Sequence, residues 1–320
     1  MAPRTTAEGA SPRAGGTSRL RGTATEERIE PMDTEHVQPT GAVAGYRPGR
    51  TLRLSVELRR QFKRRRTLGV LALMVGLPLV LIAALQLGAS EDAQENSRLN
   101  LVDVATASGL NFTLFVLFAT TSFFLVVVYA LFFGDTVASE AQWGSLRYTL
   151  ATPVPRMRLL RQKWLAALVL SVGALLTVVL TALVAGGIAF GFGDVQTPIG
   201  VTLGQGEGLL RLAGMVGYLA VHLLVVGTLA FWLSTVTDAP LAAVGGAVFT
   251  MFVFAILDQV EQLGSIRDYF PTAEEFAWTD LLQTPVDSGD LFRGVIQSLV
   301  YAAVFTALGF RHFSRRDVTS

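Results

Sequence analysis

Six apolar stretches follow one another between residues 67 and 310, with polar residues between each stretch and the next. A helix of about twenty consecutive apolar residues crosses the hydrocarbon core of a bilayer. The stretches predict spans at about 67–87, 110–133, 164–190, 212–233, 240–257 and 294–310. The first four are long enough to cross, and the last two are near the short limit of about 17 residues. The pattern therefore predicts an all-α membrane protein with six transmembrane helices.

The segment before the first span divides into a tail and a basic helix. Residues 1–49 are small, polar and charged without hydrophobic periodicity, which is typical of a disordered tail. From Thr51 to Arg66, apolar residues recur at every fourth position among many cations. The apolar stripe and two of the cations beside it are Leu54, Leu58, Phe62, Arg59 and Lys63. We therefore predict a disordered tail at 1–49 and a transmembrane domain at 50–320.

The basic helix at the start of this domain has two compatible interpretations. A basic amphipathic helix next to a span usually lies in the membrane interface, with its cations near anionic headgroups. It either fixes the topology alone or also contacts a cytoplasmic partner as an elbow helix. Both interpretations predict an interfacial helix ahead of the first span.

Lysine and arginine residues are distributed unevenly between the segments that separate the spans. From Arg50 onward, sixteen lie before the first span, between the second and third, or after the sixth, and four lie elsewhere. Cytoplasmic segments carry the excess of these residues in membrane proteins. The distribution predicts that both termini are cytoplasmic, which an even number of spans allows.

The predicted external segment between the last two spans is long and acidic, and it also carries apolar side chains. These are Ile266, Tyr269, Phe270, Phe276, Trp278, Leu281 and Leu282. We predict that it folds back onto the membrane surface as short amphipathic helices. The pair Phe270-Pro271 breaks any continuous helix there.

Composition excludes several classes of protein. Charged residues make up 16% of the chain, against about 25% in an average soluble domain. The chain has no cysteine and three scattered histidines, which excludes a disulfide framework and leaves no cluster for a metal. A net charge of +1 gives no basic field for nucleic acid. We expect no metal or cofactor on this chain and no nucleic acid as a partner.

The chain also lacks the motif that binds ATP in P-loop ATPases. Its two lysines, Lys63 and Lys163, are followed by Arg64 and Trp164. The lysine of a P-loop is followed by serine or threonine. We therefore expect no ATPase site on this chain.

The predicted spans carry few groups for transport chemistry. His222 is the one titratable residue well inside a span, and it is either a neutral hydrogen-bonding partner between helices or a proton relay. The candidate substrate pathway is defined by Thr120, Thr121, Ser122 and His222. Small hydroxyl groups among apolar residues suit a lipophilic or amphiphilic substrate. The same hydroxyls also serve as hydrogen-bond donors in ordinary helix packing.

The most informative segment lies between the second and third spans. Read as a helix, it has two neighbouring stripes, Trp143, Leu146 and Leu150, and Glu140, Gly144 and Arg147. Pro153 and Pro155 end this helix. Trp and Arg dominate binding hot spots, so the helix is a candidate contact for a cytoplasmic protein. The alternative is a membrane-surface helix that places Trp143 among the headgroups.

The same segment resembles the pattern E-x-x-x-G-[ST]-L-R-x-L-L-x-x-P-V-x-R-x-x-L-L-x-x-K of ABC-2-type permeases, the membrane subunits of bacterial ATP-binding-cassette exporters. The matching residues are Glu140, Gly144, Ser145, Leu146, Arg147, Leu150, Pro153, Val154, Arg156, Leu159, Leu160 and Lys163. Thr149 and Gln162 depart from it, standing where leucine and glycine are frequent. The ending from Arg311 to Asp317 resembles the family's F-x-R-R-D. The resemblance covers about residues 50–320.

The resemblance implies a permease of the plasma membrane that pairs with a second permease copy and two ATPase subunits. ATP and Mg would bind to those ATPase subunits. The segment from Glu140 to Leu150 would be the ATPase-coupling loop, whose movement drives alternating access and export of a drug, antibiotic or lipid. Two alternatives stay open: a permease for an ion or a maturation factor, and a membrane anchor protein that transports nothing.

Overall fold

The computed structural model describes residues 54–87, 101–142, 156–197, 202–286 and 288–315. It has six helices, two of them interrupted, that are long and apolar enough to cross a membrane, and this confirms the predicted all-α class. Span 1 is Arg65–Leu87, span 2 is Gly109–Gln142, span 3 is Arg156–Phe190, span 4 is Gln205–Val236, span 5 is Pro240–Asp258 and span 6 is Gly289–Arg315. The predicted tail lies outside the described residues.

The helices extend beyond the apolar stretches that predicted them. Span 2 continues to Gln142 rather than ending near 133, and span 3 begins at Arg156 rather than near 164. Span 6 has 27 residues, although its apolar stretch is short. Hydropathy marks the part of a helix that suits lipid, whereas the helix itself continues as long as its polar residues find partners.

Spans 2 and 4 form the centre of the bundle and are the most buried of the six. They pack tightly on each other, since a Cβ atom added to Gly227 of span 4 would lie 2.8 Å from the ring of Phe133 in span 2. Span 3 packs on spans 1 and 2, span 5 packs on spans 2 and 4, and span 6 packs on span 4. The outer faces of spans 1, 5 and 6 expose large apolar side chains such as Val80, Leu241 and Val300. Such faces fit contact with lipid or with another apolar helix.

Both central spans are interrupted, which the sequence analysis did not predict. Span 2 consists of Gly109–Thr120, a π-helical turn at Thr121–Leu125 and Val126–Gln142. Span 4 consists of Gln205–His222 and Leu224–Val236, separated at Leu223. Turns of π-helix inside α-helices are frequent at functional sites.

The two ends of the bundle differ in charge. The "basic end" holds the helix Leu54–Phe62, the end of span 2 and the start of span 3, and the "acidic end" holds residues 258–288. The acidic end also carries the short helix Leu101–Thr106 and a two-stranded hairpin that pairs Val195–Gln196 with Thr202–Leu203.

The segment between spans 5 and 6 forms two 3-10 helices, Glu261–Tyr269 and Ala277–Leu282, with Pro271 between them. The predicted break at Phe270-Pro271 is therefore present. Only part of this segment is exposed, since Trp278 is fully buried and its ring centroid lies 4.6 Å from that of Phe118 in span 2. The second helix thus packs into the bundle rather than lying entirely on its surface.

Candidate functional site

Seven charged side chains meet at the basic end, and we call them the ionic cluster. They are Glu57, Arg60, Arg64, Arg66, Asp135, Glu140 and Lys163. They come from the helix Leu54–Phe62, the start of span 1, the end of span 2 and the start of span 3. The cluster therefore joins four consecutive parts of the basic end through side-chain charges.

Glu140 lies at the centre of the cluster. Its Oε1 atom accepts hydrogen bonds from Lys163 Nζ at 2.6 Å and from Arg60 Nη2 at 2.7 Å. Lys163 also donates to the backbone oxygen of Thr136 at 3.1 Å. The side chains of Glu140 and Lys163 are only 6% and 3% exposed. A buried charge is tolerated only when it is paired, so each of these two requires the other.

Arg60 connects the basic helix to this buried pair. The same Nη2 atom that bonds Glu140 donates to Glu57 Oε1 at 3.1 Å. Burial alone would lower the pKa of Arg60, but the hydrogen bond from its guanidinium to Glu140 and the charges of both carboxylates raise it above its ordinary value. Arg60 therefore stays charged, and its bond to Glu140 is a charge-assisted link between the helix Leu54–Phe62 and span 2.

Asp135 forms a second connection, from span 2 to Arg64, just before span 1, and to Arg66 in its first turn. Its Oδ2 atom lies 2.9 Å from Arg64 Nη1, and its carboxylate is also bonded to Arg66. Ser139 donates to the backbone oxygen of Asp135 at 2.7 Å, within the same helix. Span 1 and span 2 are thus linked by charge at the basic end.

The placement of Glu140 differs from its predicted position on an exposed stripe of a loop helix. It lies in the last turns of span 2 and faces Arg60 and Lys163, because span 2 continues as a helix beyond its apolar stretch. Its carboxylate is therefore occupied within the chain. A role in orienting the following loop fits this position better than direct contact with another protein.

A helix is present at Leu54–Phe62, where the basic helix was predicted, and its inward face differs from the apolar stripe alone. Its interfacial position stays a prediction. Leu54 and Leu58 are half-buried, whereas Phe62 is 45% exposed. The most buried side chain of the helix is Glu57, which the sequence analysis did not identify. The predicted cations Arg59 and Lys63 are exposed.

The rest of the predicted coupling loop, Trp143, Gly144, Ser145, Leu146, Arg147 and Leu150, lies outside the described residues. The chain leaves span 2 at Gln142 and re-enters span 3 at Arg156. Glu140 precedes the loop and Lys163 follows it. Any force on the loop therefore reaches the helices through residues next to the ionic cluster.

A second region with polar side chains is a cavity of about 70 Å³ between spans 2, 4 and 5 and the segment 258–288. We call it the outer cavity. Its polar lining residues are Thr121, Ser122, His222, Thr272 and Glu275, and its apolar ones include Val226, Met251 and Phe252. Both helix interruptions contribute to it, since Thr121 and Ser122 lie in the π-helical turn and His222 precedes Leu223.

The structure brings together three of the four predicted pathway residues. Thr121, Ser122 and His222 line the outer cavity, and the Thr121 hydroxyl also donates to the backbone oxygen of Leu117 at 2.7 Å. Thr120 is fully buried, and its hydroxyl donates to the backbone oxygen of Val116 at 2.7 Å. Thr120 thus takes part in helix packing, the second of its two predicted interpretations.

His222 makes a contact between helices. Its Nδ1 atom lies 3.2 Å from the Ser298 hydroxyl of span 6, and its ring stacks on Tyr218 with a centroid distance of 5.8 Å. Of the two predicted roles, this geometry matches the hydrogen-bonding partner. Within the described residues no acidic or basic partner lies against its ring nitrogens in a hydrogen bond or ion pair.

Glu275 and Thr272 are the cavity residues that the sequence analysis missed. Glu275 Oε1 and Thr272 Oγ1 are buried, and within the described residues neither atom has a hydrogen-bond partner. Burial raises the pKa of Glu275, a hydrogen bond with Ser122 opposes this, and the charge of Asp258 adds to the rise. No sequence signal separated Glu275 from the other acidic residues of its segment.

Comparison with known proteins identifies the class of this bundle. A sequence profile described as "ABC-2 family transporter protein" matches residues 54–318. The chain therefore belongs to the ABC-2 transporter family and is a permease component with several membrane-spanning helices. Membership of this family implies an ABC ATPase partner in general.

One relative is a Bacillus subtilis (strain 168) protein called "Uncharacterized protein YhcI". It is 27% identical over 221 residues, which are 62% of this chain and 65% of that protein. The chain thus covers slightly less than two thirds of the relative's length. The family, rather than this relative, supports the assignment of class.

Proposed function

We propose that this chain is the permease of an ATP-driven ABC exporter that moves a lipophilic or amphiphilic substrate out of the cytoplasm. The basic end would face the cytoplasm, as the distribution of lysine and arginine predicts. Two ATPase subunits would bind ATP and Mg, and a second permease copy would complete the transport pathway. The complex would lie in the plasma membrane.

The ionic cluster is the observation that supports this proposal most strongly. The loop between spans 2 and 3 is bracketed by Glu140 and Lys163, which bond each other, and Glu140 also bonds Arg60. An ATPase that pushes on the loop therefore pushes on two helices that are fixed to each other and to the Leu54–Phe62 helix. Span 2 in turn is packed on spans 4 and 5, so its movement reaches the centre of the bundle.

The test is ATP-dependent uptake of labelled amphiphiles into inverted membrane vesicles, with ethidium and a fluorescent phospholipid as probes. Vesicles that contain the protein should accumulate at least one probe on addition of ATP. Trp143→Ala and Arg147→Ala should each lower this uptake by about tenfold or more, because Trp and Arg side chains at hot spots contribute 2 kcal/mol or more to binding.

The matched control is Arg98→Ala, which removes an arginine from a predicted external segment. It should leave ATP-dependent uptake unchanged, and all three variants should be present in the membrane in equal amounts. Equal uptake by vesicles with and without the protein, across a broad panel of probes, would argue against export of this class of substrate. Unchanged uptake in Trp143→Ala and Arg147→Ala would argue for the membrane-surface interpretation of the loop.

A further inference from the structure

The outer cavity combines features that point to a ligand rather than to packing. Buried polar atoms in proteins are normally hydrogen-bonded, and the exceptions call for an explanation. Here Glu275 Oε1 and Thr272 Oγ1 both lack a partner within the described residues, and both residues line the same cavity. Thr272 is only 6% exposed. Two unpartnered acceptors in one cavity indicate that a donor belongs between them.

The charge of the surroundings selects a cationic donor. Glu275 and Asp258 line one neighbouring pocket, so their carboxylates repel each other. The arginines of the described acidic end are bonded elsewhere. Arg211 bonds Glu207, Arg267 bonds the backbone oxygen of Asp258, and Arg293 bonds Glu274. None of the three lines the outer cavity as described. An anion is therefore disfavoured there, and a cation would relieve the repulsion.

The size of the cavity limits what can enter it. A volume of about 70 Å³ is well below the roughly 300–1,000 Å³ of a site for a whole drug-sized molecule. It has room for a few water-sized groups. A primary ammonium group with its first methylene fits this limit. It also has three N–H donors, and three lining residues offer side-chain oxygens as acceptors, Glu275, Thr272 and Ser122.

An apolar surface beside the cavity provides a place for the rest of such a molecule. Phe252 lines the cavity, is 37% exposed, and lies 6.0 Å from Phe123 between ring centroids. Phe123 is 49% exposed, and Phe249 and Ile256 on span 5 are also exposed. An alkyl chain that leaves the cavity would lie along these side chains, on a face that suits lipid.

We propose that the outer cavity binds the ammonium group of a cationic amphiphile, with Glu275 as its counter-ion and the hydroxyls of Thr272 and Ser122 as further acceptors. The inference deepens the proposed function, on which its interpretation as a substrate site depends. The class of substrate is then a primary alkylamine or a molecule with an equivalent head.

The experiment measures binding of octylammonium to the full chain, purified from its native membranes with the ATPase subunits that accompany it, without nucleotide. The complex is placed in lipid nanodiscs and titrated calorimetrically with octylammonium chloride, 1-octanol and sodium octanoate. We expect saturable binding of octylammonium alone. Glu275→Gln should raise its Kd by about tenfold or more, since charge-assisted hydrogen bonds contribute more than neutral ones.

The matched control is Glu274→Gln, because the neighbouring carboxylate bonds Arg293 and does not line the outer cavity. Its Kd should stay within about twofold of the unchanged protein. Thr272→Val, which removes one neutral acceptor, should raise the Kd by about threefold. If Glu275→Gln does not survive purification, Glu275→Asp replaces it, with an intermediate loss expected. Equal binding by Glu275→Gln and the unchanged chain, or equally tight saturable binding of octanol, would overturn the proposal.

The two proposals fail in different ways. If the complex hydrolyses ATP and transports another amphiphile but binds no octylammonium, the proposed function stands and only the cation site is contradicted. If the chain binds octylammonium through Glu275 but never associates with an ATPase, the cation site stands and the exporter function is contradicted. Vesicle uptake and nanodisc binding therefore test the two statements separately.

Discussion

Glu140 is buried and Glu275 is half-buried, and the charges around these two carboxylates differ. Glu140, at the basic end, is bonded to Lys163 and Arg60. Glu275, at the acidic end, has a buried oxygen without a hydrogen-bond partner within the described residues, and a raised pKa. The first carboxylate is paired with two cations inside the chain, whereas the second forms no ion pair within the described residues.

The difference indicates that the two ends of the bundle have different roles. Paired charges hold helices at fixed positions, which suits the role in transmitting a push that we propose for this end. An unpaired buried acceptor destabilises a fold, and a ligand that supplies a donor would offset that cost.

The largest effect is expected for Lys163→Met. It removes the buried cation and leaves Glu140 with Arg60 alone. Breaking one partner of a buried pair lowers the free energy of unfolding by about 3–5 kcal/mol. Chemical denaturation in mild detergent measures this decrease in the free energy of unfolding. The chain offers its own control, since the other lysine, Lys63, is exposed and Lys63→Met should change stability by less than about 0.5 kcal/mol. If both lysine variants lose similarly little stability, the ionic cluster does not fix the helices of the basic end.

A smaller effect is expected for His222→Leu. It leaves the Ser298 hydroxyl without its partner in the bundle, so the free energy of unfolding should fall by about 1–2 kcal/mol. Adding Ser298→Ala to this variant should restore part of the loss, because no unpaired hydroxyl then remains. A double variant whose loss equals the sum of the two single losses would show that the hydrogen bond contributes nothing.

The smallest effect, and the one of opposite sign, is expected for Glu275→Gln. Because the pKa of Glu275 is raised above its ordinary value of 4.5 in the folded chain, folding favours the protonated carboxyl. Between pH 4.5 and the pKa of Glu275 in the folded chain, the folded state binds more protons than the unfolded state. The free energy of unfolding therefore falls as the pH rises through this interval, and it stays lower at higher pH.

The melting temperature of Glu275→Gln should therefore equal that of the unchanged chain at acidic pH and exceed it at neutral pH. Thr272→Val serves as the control, since it removes a hydroxyl that does not titrate, and its difference from the unchanged chain should not vary with pH. A Glu275→Gln variant that is less stable at neutral pH would mean that the carboxylate is satisfied in the folded protein after all.

Hydropathy predicted the six spans because the bilayer imposes one length on every crossing helix. It could not predict where the helices end, since Asp135 and Glu140 continue span 2 only because Arg60, Arg64 and Lys163 meet them. The Arg60–Glu140 bond joins residues 80 positions apart, which no local pattern contains.

The residues of the outer cavity could likewise be predicted only in part from the sequence. Thr121, Ser122 and His222 were predicted from their polarity inside apolar stretches. Glu275 and Thr272 reach the cavity only because the segment between spans 5 and 6 packs into the bundle, with Trp278 fully buried. The interruptions of spans 2 and 4 have no glycine or proline at their centres to signal them.

We propose that this permease is driven by a separate ATPase through the loop between spans 2 and 3. Affinity purification of the chain from its native membranes in mild detergent, followed by an ATPase assay on the eluate, tests this proposal most directly. We expect a co-purifying P-loop protein with vanadate-sensitive activity, and less of that protein with Trp143→Ala. A clean and inactive preparation, repeated after crosslinking before solubilisation, would contradict the claim and favour an anchor protein.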